Sequence, residues 1–142
     1  MTYTTREALT DRYGADLLVQ LTDRATPPAG AIDAGVVARA LADTDAVIDA
    51  SLAVRYRLPL AQVPAMVADL ATTIAIYKLH RFAPDPKIGE DYDRALKDLA
   101  DLAVGRKKLD LAGVEPATAG SGGVVAIDRV RPLSPETMTG FI

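Results

Sequence analysis

Residues 45–60 read Asp45-Ala-Val-Ile-Asp-Ala-Ser-Leu-Ala-Val-Arg-Tyr-Arg-Leu-Pro-Leu60, and this stretch decides the fold. Leu41, Thr44, Ile48 and Leu52 fall near one helical face, with Asp45 and Asp49 to one side. The helix is expected to run into Arg55-Tyr56-Arg57. Pro59 closes it, because a proline pushes the preceding residue out of the helical region. A helix end dense in Arg and Tyr, followed by Leu-Pro-Leu, is an unusual local signature.

Upstream, Asp33 is placed to cap this long helix, whose apolar stripe starts at Val37. Ala25-Thr-Pro-Pro-Ala-Gly30 before it is a loop on turn chemistry. Thr4-Thr-Arg-Glu7 has the spacing of a capping box, with Thr4 as the cap of a short helix to about Tyr13. Gly14 stops that helix, and a second short apolar segment follows from Asp16 to about Thr22.

Downstream, Pro64 suits the first turn of a helix whose stripe is Val67, Leu70, Ile74, then Tyr77 or Lys78, and Arg81. Pro84-Asp-Pro86 breaks the chain. A last helix is expected from Ile88 or Gly89 to Val104, apolar at Tyr92, Leu96, Leu99 and Ala103, with Gly105 as its stop. Beyond Gly105 the chain turns rich in Gly and Pro, and Val124-Val-Ala-Ile-Asp128 is its one convincing strand pattern. The expected fold is mainly α. A small bundle of about four helices spans residues 1–105, and an extended C-terminal docking arm, residues 106–142, carries one short β-strand.

The 142 residues fit one domain by length, enough to bury a core without staples. Cysteine is absent, which excludes disulfides and thiolate metal sites. Aromatics are 5% with no Trp, so the core is expected to be built of Ala, Leu, Val and Ile. The formal net charge of −3 argues against a protein that wraps nucleic acid. Residues 1–104 carry 11 Lys and Arg against 15 Asp and Glu, so the acidity sits on the body. No apolar run approaches the ~18–20 residues of a membrane span, and Met1-Thr-Tyr-Thr-Thr-Arg-Glu does not read as a signal peptide.

No catalytic constellation appears, and neither enzymatic activity nor a cofactor is expected. His80 stands beside Lys78 and Arg81 with nothing to orient it as a base, and cations suit a helix C-terminus. Ser51, Ser121 and Ser134 lie in no nucleophile-elbow pattern. Asp45 and Asp49, one turn apart with Asp43 nearby, could share a proton or hold a divalent cation, but the Glu-x-x-His pairs of helical metal sites are missing. Asp49 is instead expected to pair with Arg55 or Arg57, or to be solvated. Asp91, Asp93, Asp98 and Asp101 read as a solvated or acidic assembly face. Gly120-Ser-Gly-Gly123 lacks the Lys-Ser/Thr of a phosphate loop and reads as a flexible joint. Arg106-Lys-Lys108 complements the preceding helix end.

Arg55, Tyr56 and Arg57 are interface candidates, because Arg and Tyr are enriched at hot spots; Tyr56 can equally pack in the core. In the arm, Val124, Val125, Ala126 and Ile127 can add a strand to a partner. Met138, Phe141 and Ile142 are apolar groups that call for a pocket on that partner.

Ile48-Asp49, Leu52, Arg55-Tyr56 and Leu58-Pro59-Leu60 together resemble the core of the Mu-like prophage head–tail adaptor (connector, head completion) family. Tyr3-Thr-Thr-Arg-Glu-Ala-Leu, Tyr13-Gly-Ala-Asp-Leu and Leu21-Thr-Asp23 extend the resemblance upstream. Ala71 through Tyr77-Lys-Leu79, Tyr92, Ala95, Leu99 and Gly105 extend it downstream, as does Arg131-Pro-Leu-Ser-Pro-Glu-Thr-Met-Thr-Gly-Phe141. The resemblance implies a structural protein of the virion neck, made in the host bacterial cytoplasm. It implies a closed ring, commonly of twelve copies, beneath the portal protein and docking a neck or tail-terminator protein. DNA would pass through such a ring without sequence-specific binding, and no membrane is involved. An acidic lumen would repel phosphate and let DNA slide. The competing reading is a free-standing helical regulatory or partner-binding protein whose C-terminal arm folds on binding.

Overall fold

A computed structural model describes residues 1–110, and within them the chain is helical. Its elements are α1 (Arg6–Tyr13), α2 (Ala15–Thr22), α3 (Ala34–Leu52), α4 (Ala65–Leu79) and α5 (Pro86–Ala103). The strand expected at Val124–Asp128 lies outside the described residues. Among the described residues, no helix is long and apolar enough to cross a membrane.

The three long helices pack on one another, and α1 reaches both α2 and α4. The apolar interior falls into two clusters. One joins Ile48, Leu52, Tyr56, Leu70, Ile74, Leu99 and Leu102. The other joins Leu9, Leu18, Val37, Ala75, Ile76 and Leu79 around α1 and α2. The α3 stripe is as its spacing predicts, with Val37, Thr44, Ile48 and Leu52 buried and Leu41 half-buried.

In α4 a single stripe is too narrow an expectation. Every residue from Leu70 to Ile76 is buried, so this helix runs through the middle of the body. A helix segment that is apolar on most sides belongs in an interior. Thr72 and Thr73 tolerate burial because their hydroxyls donate to the carbonyls of Ala68 and Asp69, at 2.8 and 3.0 Å. In α5 the buried line is Ala95, Leu99 and Leu102, flanked by half-buried Tyr92 and Leu96. Tyr92 stacks on Tyr77 with ring centroids 3.8 Å apart.

Several helix ends differ from expectation. The N-cap of α1 is Thr5, whose hydroxyl accepts from the Ala8 amide at 3.2 Å. Thr4 points inward instead. Thr72 gives its proton to Ala68, so Thr4 donates to the Thr72 oxygen, 2.8 Å away. Asp33 does cap α3, accepting from Gly35 and Val36. Pro64 is the N-cap of α4 rather than part of its first turn. Helix α5 starts earlier than expected, at Pro86, because Asp85 caps it by accepting from the Lys87 amide at 2.9 Å. The largest change is in α3, which ends at Leu52. The Leu52 carbonyl accepts from both Arg55 and Tyr56, at 3.0 and 2.8 Å, and the chain turns away before Arg55-Tyr56-Arg57.

Candidate functional site

The turn after α3 distributes the three interface candidates over different environments. Tyr56 is 4% exposed and lies in the core. Its phenolic oxygen accepts the backbone N–H of Leu109 at 3.2 Å. Leu109 is buried in the same cluster, so the chain past Gly105 lies back against the body before the arm continues. Arg57 is exposed. Arg55 is half-buried, with its guanidinium against Gly105 at the C-terminal end of α5. Gly105 has φ +80°, in the left-handed region that glycine occupies without strain.

The expected pair between Asp49 and Arg55 is not made. Because α3 stops at Leu52, Arg55 swings toward α5, and its Nε is buried without a hydrogen-bond partner among the described residues. Asp49 turns to the N-terminal segment. It accepts the Tyr3 hydroxyl, and the Met1 amino group stands 3.9 Å from its other oxygen. Asp45, one turn earlier, accepts the Tyr3 backbone N–H at 3.0 Å. These two carboxylates fasten the segment before α1 along α3. Burial pushes the Tyr3 hydroxyl well above the usual tyrosine range, and Asp49 adds to the effect. Burial likewise raises Asp45, against the opposing hydrogen bond from Tyr3.

The remaining polar candidates act locally. His80 Nδ1 lies 2.8 Å from the Ile76 carbonyl, which ties the ring to the end of α4. Arg106 and Lys107 pair with Asp101 and Asp98, at 3.2 and 2.5 Å. These contacts clamp the chain after Gly105 to α5. Asp91 pairs with Lys87 and Arg94, and the Lys87 ammonium holds its carboxyl below the usual range. Among the described residues no three His, Cys, Asp or Glu side chains are grouped to hold a metal ion. Val124, Val125, Ala126, Ile127, Met138, Phe141 and Ile142 lie outside the described residues.

A linear reading misses one grouping. Arg24, Arg39, Lys78 and Arg81 line two neighbouring clefts that share Arg24. They come from α3, the last turn of α4 and the segments after α2 and α4, so only the fold reveals them as a set.

The described chain is a small helical module whose distinctive chemistry lies in charged surfaces and in a tethered exit toward its C-terminus. Residues 3–127 match the family model described as Bacteriophage Mu, Gp36, and the chain belongs to that family. It is 30% identical over 140 residues to the Mu-like prophage FluMu protein gp36 of Haemophilus influenzae, covering 99% of this chain and 98% of that one. It is 32% identical over 145 residues to Gene product J of Escherichia phage Mu, with full coverage of both. The resemblance to a Mu-like phage family is therefore correct, and it runs along almost the entire chain.

Proposed function

We propose that this chain is a structural, non-enzymatic protein of a Mu-like phage particle: a head–tail adaptor that forms a ring, of about twelve copies, beneath the portal. The observation that carries this reading is the family match from Tyr3 to Ile127, which spans the helical body and continues into the arm through Val124–Ile127. The tie between Leu109 and Tyr56 supports it, because it fixes where the arm leaves each copy. In this reading the body builds the ring wall. Val124, Val125, Ala126 and Ile127 add a strand to a neighbouring copy or adjoining ring, and Met138, Phe141 and Ile142 fill an apolar pocket there. Arg57, exposed next to the buried Tyr56, lies at the contact between copies.

Electron-microscopic reconstruction of the particle, with this chain identified by a tag, tests the reading. A cyclic ring of this chain between portal and tail is the expected result. One or two copies per particle, or a chain found only free in infected cells, would overturn it and favour a free-standing partner-binding protein.

A further inference from the structure

Six of the fourteen Lys and Arg among residues 1–110 are neutralised by a carboxylate. Arg6, Arg12, Lys87, Arg94, Arg106 and Lys107 each stand within 4.0 Å of a carboxylate. Eight make no such pair among the described residues, although the chain has more carboxylates than cations, and four of the eight, Arg24, Arg39, Lys78 and Arg81, are brought together by the fold. These four surround two adjoining clefts. One, of about 200 Å³, is bounded by Leu21, Arg24, His80, Arg81 and Phe82. The other, of about 180 Å³, lies between Arg24, Arg39, Asp43 and Lys78.

The carboxylates available there are few. Asp23 and Asp43 line the clefts, and Asp23 is already occupied by the N–H groups of Gly30 and Ala25, at 2.7 and 3.3 Å. Lys78 has a local role at the C-terminus of α4. Arg24 and Arg81 lie outside the helices, and Arg39 uses only its Nε–H, on the Gly35 carbonyl at 3.3 Å. Their guanidinium forks are thus left facing outward, and that fork geometry suits bidentate contact with phosphate. Phe82, 84% exposed at the rim, offers an apolar ring beside them.

We propose that this flank meets double-stranded DNA through its phosphates, without reading bases. A duplex presents a dense row of anions along each strand, and several free cations around open, shallow clefts fit that row. The four cations stand on the side of α3, at the last turn of α4 and on the segments after α2 and α4, a spread that suits a row of phosphates rather than base edges. The inference deepens the adaptor reading, on which it rests for the supply of DNA, by naming the flank turned toward the channel. It also revises the expectation of an acidic lumen that repels phosphate. An acidic body with one cationic flank would guide DNA by brief contacts and hold it nowhere else.

The test is fluorescence anisotropy of a labelled duplex with the full chain, over salt from about 20 to 200 mM. Binding is expected with a slope of log K against log salt of about −3 to −4, the value for four neutralised phosphates. Each of Arg24→Gln, Arg39→Gln and Arg81→Gln should flatten that slope by about 0.9, equally on duplexes of unrelated sequence. The corresponding Lys variants should retain the slope, which separates lost charge from lost fold. No binding at low salt, or binding unchanged in the triple Gln variant, overturns the inference. So does a triple Gln variant that binds DNA normally yet leaves particles without tails, which would make the flank a protein contact. A ring seen in the particle together with any of these outcomes leaves the adaptor reading standing and removes only this one.

Discussion

The Arg55 guanidinium occupies the space into which any side chain on Gly105 would have to project. One residue follows α3 and the other follows α5, so their contact joins two helix ends. Gly105→Ala meets both that overlap and the strain of φ +80°. We expect it to destabilise the fold by about 1–2 kcal/mol from the backbone alone. Arg55 can withdraw the far end of its side chain, so Arg55→Ala should relieve little of the penalty. Urea unfolding of the two single variants and the double variant checks this, and a neutral Gly105→Ala would show that the turn relaxes.

Arg55 itself has a smaller role in stability than a salt bridge would give it. Asp49 is satisfied by Tyr3, so removing the guanidinium strands no carboxylate. Arg55→Met, which keeps the stem, is expected to cost under about 1 kcal/mol. A loss of about 3 kcal/mol would mean that a buried partner of Arg55 exists.

Much of the fold is legible from residue spacing. The α3 stripe and the Asp33 cap follow from local rules. So do the stops at Gly14 and Gly105, because each depends on a few neighbouring positions. Contacts between distant segments are not legible in this way. Tyr3 reaches Asp45 and Asp49 across 42 and 46 residues, and no spacing rule distinguishes those carboxylates from solvated ones. Thr4 and Thr5 are chemically equal candidates for the α1 cap, and burial against Thr72 decides between them. The early end of α3 has the same character. Ala53-Val54-Arg55 carries no helix breaker, and burial of Tyr56 with Leu109 rewards turning the chain there.

The Tyr3 fastening has a pH signature with two arms. The folded state holds the Tyr3 proton more tightly than the unfolded chain does. Its contribution is fully present below the ordinary value of 10.0 and is lost as pH rises beyond it. Asp45 has the opposite consequence. Its folded carboxyl also binds a proton more tightly, so its charged form burdens the fold at neutral pH. That burden is relieved as pH falls toward and through 3.8. Asp45→Asn keeps an oxygen to accept the Tyr3 N–H, and should raise Tm at neutral pH. The gain should shrink as pH falls toward about 4, and Tyr3→Phe should blunt the loss of stability on the alkaline side. An Asp45→Asn variant that melts lower at neutral pH would show that its charge is needed, for example by the Met1 amino group.

The Tyr56–Leu109 bond predicts a local and a global effect. Tyr56→Phe leaves the buried Leu109 N–H without its acceptor, at an expected cost of about 1–2 kcal/mol. Hydrogen exchange at the Leu109 amide should accelerate by more than the global loss explains, because the chain after Gly105 would lift while α3 and α5 stay packed. Equal acceleration throughout the body would mean that this segment opens only with global unfolding.

The same contact sets where the arm can be cut. A chain ending at Val104 loses the burial of Leu109 and the pairs from Arg106 to Asp101 and Lys107 to Asp98. It should be destabilised by about 2–3 kcal/mol, chiefly from the leucine, since ion pairs of exposed cations contribute little. A chain ending at Asp110 keeps all three contacts and should melt within about 2 °C of the full chain. Under the adaptor reading neither should join heads to tails, because both lack Val124–Ile127 and the apolar group of Met138, Phe141 and Ile142. The Asp110 cut is the informative one, because it separates loss of docking from loss of fold. If particles supplied with only that truncated chain are assembled and infectious at the normal rate, the arm is dispensable and its docking role is wrong.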